Sequence, residues 1–136
     1  MPVCHVLIIE DEALVALDLQ DMLLTAGATT FSFAETEREA LDAARVQRPD
    51  VIMSDVMLRE GTGPHAVEAI QGEMGPLPVI FITATPQACV PCDPRAVVLG
   101  KPMIGARVCE AFRAATLNLL ELRLQKPRAN ARLAPS

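Results

Sequence analysis

Five residues capable of polar chemistry stand at the ends of apolar runs. "HVLIIE" (5–10) closes on Glu10, and Asp11 follows it. "DVIMSD" (50–55) closes on Asp55. "LPVIFITA" (77–84) carries Thr83, and "AVVLG" (96–100) leads into Lys101 and Pro102. Three carboxylates gathered in a partly dry cleft repel one another. A hard divalent cation removes that conflict, and Mg2+ suits oxygen ligands with water left in its shell. Thr83 can hydrogen-bond a phosphoryl oxygen, and Lys101 can pair with one. Asp55 is the best candidate nucleophile, because a carboxylate can form an aspartyl-phosphate. Metal, lysine and hydroxyl together would neutralise charge on the transferring group. Singly, each residue has a plainer explanation. Asp11 or Glu12 alone would cap a helix, Thr83 alone would bond backbone, and Lys101 alone would be a solvated charge.

A second chemistry is written in "ACVPCDPRA" (88–96), where Cys89 and Cys92 are two residues apart. A redox pair of this spacing belongs after an early strand, at a helix start whose dipole lowers the thiol pKa. Here it follows the fourth apolar run and is boxed in by Pro91 and Pro94. A zinc site would need a second pair, yet Cys4 opens the first run and Cys109 lies far downstream. The cysteines are expected to be bystanders, with thiol modulation through Cys89 and Cys92 as an alternative.

The elements that must position the five residues alternate. The run 5–10 reads as a buried parallel strand. A helix from about Ala13 to Thr25 sets Val15, Leu19, Met22 and Ala26 on one face and stops at Gly27. "TFSFA" (30–34) is a second strand. Thr36 with Glu39 forms a capping box for a second helix, ended by Pro49. Strand three covers 50–55. Gly61, Gly63 and Pro64 make a loop before a short helix to about Met74. Strands at 77–84 and 96–100 follow. A long helix begins near Ile104, with Val108, Phe112, Ala115, Leu119 and Leu122 on its inner face. Such alternation implies a parallel α/β sheet covered on both faces. Ligands then bind beyond the carboxyl ends of the strands, where the five residues collect.

The chain has 136 residues, 51% of them apolar, and a net charge of −5. That fits one domain with one sizeable core and argues against general nucleic-acid binding, which needs a basic stripe. The basic residues Lys126, Arg128 and Arg132 lie with prolines in 126–136, expected to be a flexible tail. No signal peptide pattern opens the chain, and no apolar stretch is long enough to span a bilayer. The expected compartment is the cytoplasm, where thiols stay reduced.

The stretches "VLIIEDE", "PDVIMSDVML", "VIFITA" and "GKP", in this order, resemble the receiver domain of a bacterial response regulator. The resemblance spans roughly Val3 to Leu124. It implies a flavodoxin-like, doubly wound (βα)5 sheet of order 2-1-3-4-5 and a receiver domain over 1–125; with only eleven residues after Gln125, a single-domain receiver without a DNA-binding or enzymatic output is expected. Asp55 would be the phosphoacceptor for a histidine kinase phosphohistidine. Asp11 and Asp55 would ligate Mg2+, Glu10 through water, and Met57 through its backbone carbonyl. Thr83 and Lys101 would contact the phosphoryl group, and the bond from Lys101 to Pro102 is often cis in this family. Met57 and Thr85 sit where members tune hydrolysis of the acyl phosphate. A phosphorylation-independent binding module on the same fold is the alternative.

Two departures stand out. Pro86, Pro91 and Pro94 fall where a receiver has its fourth helix. An interior proline costs ~3 kcal/mol or more, so an irregular loop with at most one short turn is expected. The family's switch aromatic falls at Val98, which cannot swing as a ring does. Both traits are similar to an alphaproteobacterial subset that includes the receiver of the general stress response regulator. Such receivers are served by HWE or HisKA2 histidine kinases. Output would be protein–protein contact, without DNA or membrane. Leu117, Leu120 and Leu124 form a second apolar strip on the last helix, either packed on the domain's own loops or a homodimer or partner surface.

Overall fold

The computed structural model describes residues 4–89, 93–117 and 119. The elements are β1 (His5–Ile9), α1 (Ala13–Ala26), β2 (Thr30–Ala34), α2 (Glu37–Val46), β3 (Val51–Ser54), α3 (Gly63–Met74), β4 (Val79–Thr83) and β5 (Val97–Gly100). A final helix, α4, covers 105–117. The strands form one parallel sheet of order β2-β1-β3-β4-β5. This is the doubly wound arrangement expected of the sequence.

Side-chain alternation along the buried strands divides the interior in two. Leu7, Ile9, Ile52 and Phe81 meet Ala40 and Ala44 of α2 and Val67 and Ile70 of α3. Val6, Ile8, Met53, Ile80 and Ile82 face the other way, onto Leu19 and Leu23 of α1 and Val108 and Phe112 of α4. Because both faces are covered, β1, β3 and β4 are buried throughout.

Several expected bounds shorten. Glu10, Asp50 and Asp55 fall just outside their strands, and β4 begins at Val79, after Pro78. The face of α1 is the one expected: Leu19 is buried and Val15, Met22 and Ala26 pack half-buried on the same core, with Ala16 and Leu23 completing its buried residues. Gly27 ends α1 at φ +116°, with Ala28 N–H returning to Leu23 O at 2.9 Å, a left-handed helix stop that favours glycine. Thr36 caps α2 by accepting from Glu39 N–H at 3.1 Å. The return bond of the box comes from Glu35 N–H to Glu39 Oε1 (2.9 Å), not from Thr36. The helix ends at Val46, before Pro49 is reached.

Where a fourth helix of the alternation would stand, the described residues form a 3-10 turn, Pro86–Ala88. The chain is described again from Asp93. Its carboxylate accepts from Arg95 N–H (2.9 Å) and from Gln71 Nε2 of α3 (3.2 Å), which pins the incoming end of β5. Cys89 is buried in the core shared by α2 and α3. Cys92 lies outside the described residues, as do Leu120, Leu122, Leu124 and 126–136. Of the outer strip on α4, Leu117 is exposed.

Candidate functional site

Glu10, Asp55 and Lys101 each sit one step beyond a strand, held there by one further ladder bond, while Asp11 follows Glu10 and Thr83 is the last residue of β4. Glu10 N–H donates to Ala34 O (2.9 Å), Asp55 N–H to Ile9 O (2.9 Å), and Lys101 N–H to Thr83 O (2.8 Å). The sheet thus delivers side chains from β1, β3 and β5 to a single edge. Three carboxylates, from Glu10, Asp11 and Asp55, each offer an oxygen within 4.8 Å of the others. Lys101 Nζ donates to Asp55 Oδ2 at 2.9 Å and lies 3.4 Å from Glu10 Oε1. Asp55 Oδ1 accepts from Val56 N–H at 2.7 Å. Glu10 Oε2 accepts from Glu12 N–H at 3.1 Å.

The electrostatics follow from this crowding. Burial pushes the Glu10 carboxyl up to about 7; the negative charge of Asp55 adds to that, while the Glu12 amide and Lys101 oppose it. Burial works against the Lys101 ammonium, but the Asp55 and Glu10 carboxylates outweigh it and hold that ammonium above its ordinary value. One ammonium therefore faces three acids, and a carboxylate-rich, cation-poor pocket remains. Hard oxygen donors grouped in this way fit a divalent cation such as Mg2+. Among the described residues, this is the one acidic group arranged for a metal.

Thr83 is buried at the same edge, and its hydroxyl accepts from Thr85 N–H at 3.1 Å, with the Thr85 hydroxyl 3.5 Å away. The peptide bond between Lys101 and Pro102 is cis. Val98 is half-buried on β5 and packs on the core shared by α2 and α3. Met57 has an exposed side chain and is bridged in antiparallel fashion to Thr62 across the loop after Asp55.

The residues under Asp55 escaped the sequence reading. Ser54 Oγ donates to Asp55 O at 2.7 Å. A Cβ on Gly63 would lie 1.9 Å from that same carbonyl oxygen, so the start of α3 can approach Asp55 only as glycine. The one sequence signal was the pair of glycines at 61 and 63.

An acidic edge with a facing lysine thus lies beyond the carboxyl ends of a five-stranded doubly wound sheet, where such folds place their ligands. The sequence matches the response regulator receiver domain family over residues 6–91, and the chain belongs to that family. It is 39% identical over 85 residues to the phyllosphere-induced regulator PhyR of Methylorubrum extorquens, covering 61% of this chain and 32% of that protein. The chain therefore spans about a third of that relative's length. The solution structure of the Erythrobacter litoralis PhyR receiver domain superposes with a TM-score of 0.77 at 31% identity, over 86% of this chain and 92% of that one. The crystal structure of the anti-anti-sigma factor PhyR from Bartonella quintana gives 0.73 at 28% identity, over 96% and 52%. The similarity to receivers of the alphaproteobacterial stress regulators is thus borne out.

Proposed function

We propose that this receiver takes a phosphoryl group onto Asp55 from the phosphohistidine of a histidine kinase. The observation that carries this reading is the ion pair from Lys101 Nζ to Asp55 Oδ2, set among the carboxylates of Glu10 and Asp11. The phosphorus–nitrogen bond of the donor breaks as a phosphorus–oxygen bond to Asp55 forms. Lys101, already within hydrogen-bond reach of Asp55, pairs with the incoming group, and the Thr83 hydroxyl binds one of its oxygens. Asp11 and Asp55, with Glu10 through water and the Met57 carbonyl, would hold Mg2+. When bound, that ion supplies positive charge to the oxygens of the transferring group. Attack of water on phosphorus releases phosphate and restores the Asp55 carboxylate.

The likeness to PhyR supports a kinase of the HWE or HisKA2 class. The Bartonella quintana relative is an anti-anti-sigma factor, which supports an output by protein contact. Among the described residues no helix is long and apolar enough to cross a membrane, and we place the protein in the cytoplasm. The test is incubation with acetyl phosphate, or with a cognate kinase and ATP, with and without Mg2+. Intact-mass spectrometry should show one phosphoryl adduct in the wild type, lost in Asp55→Asn and in EDTA. Equal adduct in Asp55→Asn would refute the assignment.

A further inference from the structure

The loop that leaves Asp55 is tied to α2, a helix that contributes no side chain to the acidic pocket. Glu37, the first residue of α2, holds the loop twice. Its N–H donates to Glu60 O at 3.2 Å, and its Oε2 accepts from Thr62 N–H at 3.3 Å. Arg59 Nη2 reaches Glu35 Oε2 at 3.4 Å beside it. Gly61 lies against the same side chain at φ +82°, where a Cβ would come within 2.3 Å of Glu37 Oε2 and 2.7 Å of Glu37 Cβ. The far side of the clasp points back to the pocket. Thr62 stands opposite Met57 in the antiparallel bridge, and Gly63 N–H donates to Val56 O at 2.8 Å. In that register the flanking residues make the ladder bond. The Thr62 amide therefore turns outward to Glu37, and the bridge leaves the Met57 carbonyl unused.

We infer that Glu37 is a positioning residue for the Mg2+ site. By holding Thr62 it fixes the bridge to Met57, and so the place of the Met57 carbonyl relative to Asp55. This rests on the reading of the pocket as a Mg2+ site. A purely structural role is the competing explanation, because an acid in the first turn of α2 also complements the helix dipole. Such a role would alter melting without altering Mg2+ affinity.

Calorimetric titration of the full chain with MgCl2, alongside melting in EDTA, separates the two. Glu37→Gln keeps an acceptor oxygen and should bind Mg2+ like the wild type. Glu37→Ala should weaken binding roughly 3–10-fold, below the ~10–100-fold typical of direct outer-shell partners. It should also speed hydrogen exchange at the amides of 57–62. Should Glu37→Ala not fold, Glu37→Asp, one methylene too short for Thr62, is titrated in its place with the same expectation. A wild type that binds Mg2+ and an alanine or aspartate variant that matches it would overturn the positioning role alone. A wild type that binds no Mg2+ would overturn the pocket reading, and the positioning role with it.

Discussion

Lys101 shows how one residue serves two opposed demands. Its ammonium neutralises part of the charge on Glu10 and Asp55. It also competes with any cation for those same oxygens. Removing it should therefore split two readouts. In Lys101→Ala the acids lose their counter-charge, so Mg2+ should bind a few-fold more tightly, since opposite charge within ~4–6 Å stabilises a carboxylate. Phosphoryl acceptance should slow by roughly 10²-fold or more, the scale on which loss of one preorganised charge partner costs catalysis. Titration with MgCl2 and a time course with acetyl phosphate give both numbers on one preparation. Tighter Mg2+ binding with an unchanged rate would remove Lys101 from the transfer step and leave it a structural counter-ion.

At the scale of elements, the sequence was most legible where chemistry and pattern coincide. Near-continuous apolar runs in β1, β3 and β4 announced buried parallel strands, and the acids that ended them announced the site. The α1 face was legible only in part: Val15, Leu19, Met22 and Ala26 do pack on the core, but Ala16 and Leu23 were missed, and Leu14, Leu17 and Leu24 are apolar yet exposed, at 78%, 53% and 47%. Apolar residues all round a helix do not say which of them face the sheet. Glu37 was invisible for a different reason. Its partners are backbone groups of Glu60 and Thr62, more than twenty residues away, and backbone contacts leave no mark on residue type. Glycines offer a clean contrast between local and tertiary constraint. At Gly27 a Cβ would meet nothing within 4 Å, so the cost of alanine is conformational alone. Gly27→Ala should lose about 1 kcal/mol, the left-handed penalty less the gain from a stiffer unfolded chain. Gly63→Ala must displace the carbonyl of Asp55 and should cost more, together with the Mg2+ response. Urea denaturation of both variants, with and without Mg2+, tests the distinction. Equal losses would mean that the approach of α3 to Asp55 can relax without harm.

The whole molecule carries its titratable strain at both ends of the sheet. The pocket occupies the carboxyl edge. Near the amino edge, His5 is buried in β1, with Nδ1 2.8 Å from Thr30 Oγ1 and Nε2 2.7 Å from Ser32 Oγ on the edge strand β2. The backbone N–H of His5 donates to Asp50 Oδ2 at 2.8 Å, joining β1 to the start of β3. Burial lowers the His5 pKa below 6.5, and the charge of Asp50 opposes this only in part. Below that value the unfolded chain binds a proton that the folded chain resists. Stability from His5 is therefore complete above 6.5 and is lost as pH falls through 6.5 toward the lowered folded value. Glu10 acts with the opposite sign over a neighbouring range. Its folded value of about 7 exceeds the ordinary 4.5, so acidification from neutrality relieves it. The total slope is thus a poor guide, and the difference between two proteins is the quantity to read. Urea midpoints of wild type and His5→Gln, taken at about pH 7.5 and about pH 5.5, cancel the Glu10 contribution. The wild type should lose more stability than His5→Gln on acidification. Identical losses would mean that the imidazole accepts its second proton in place, both nitrogens donating to the hydroxyls of Thr30 and Ser32 without penalty.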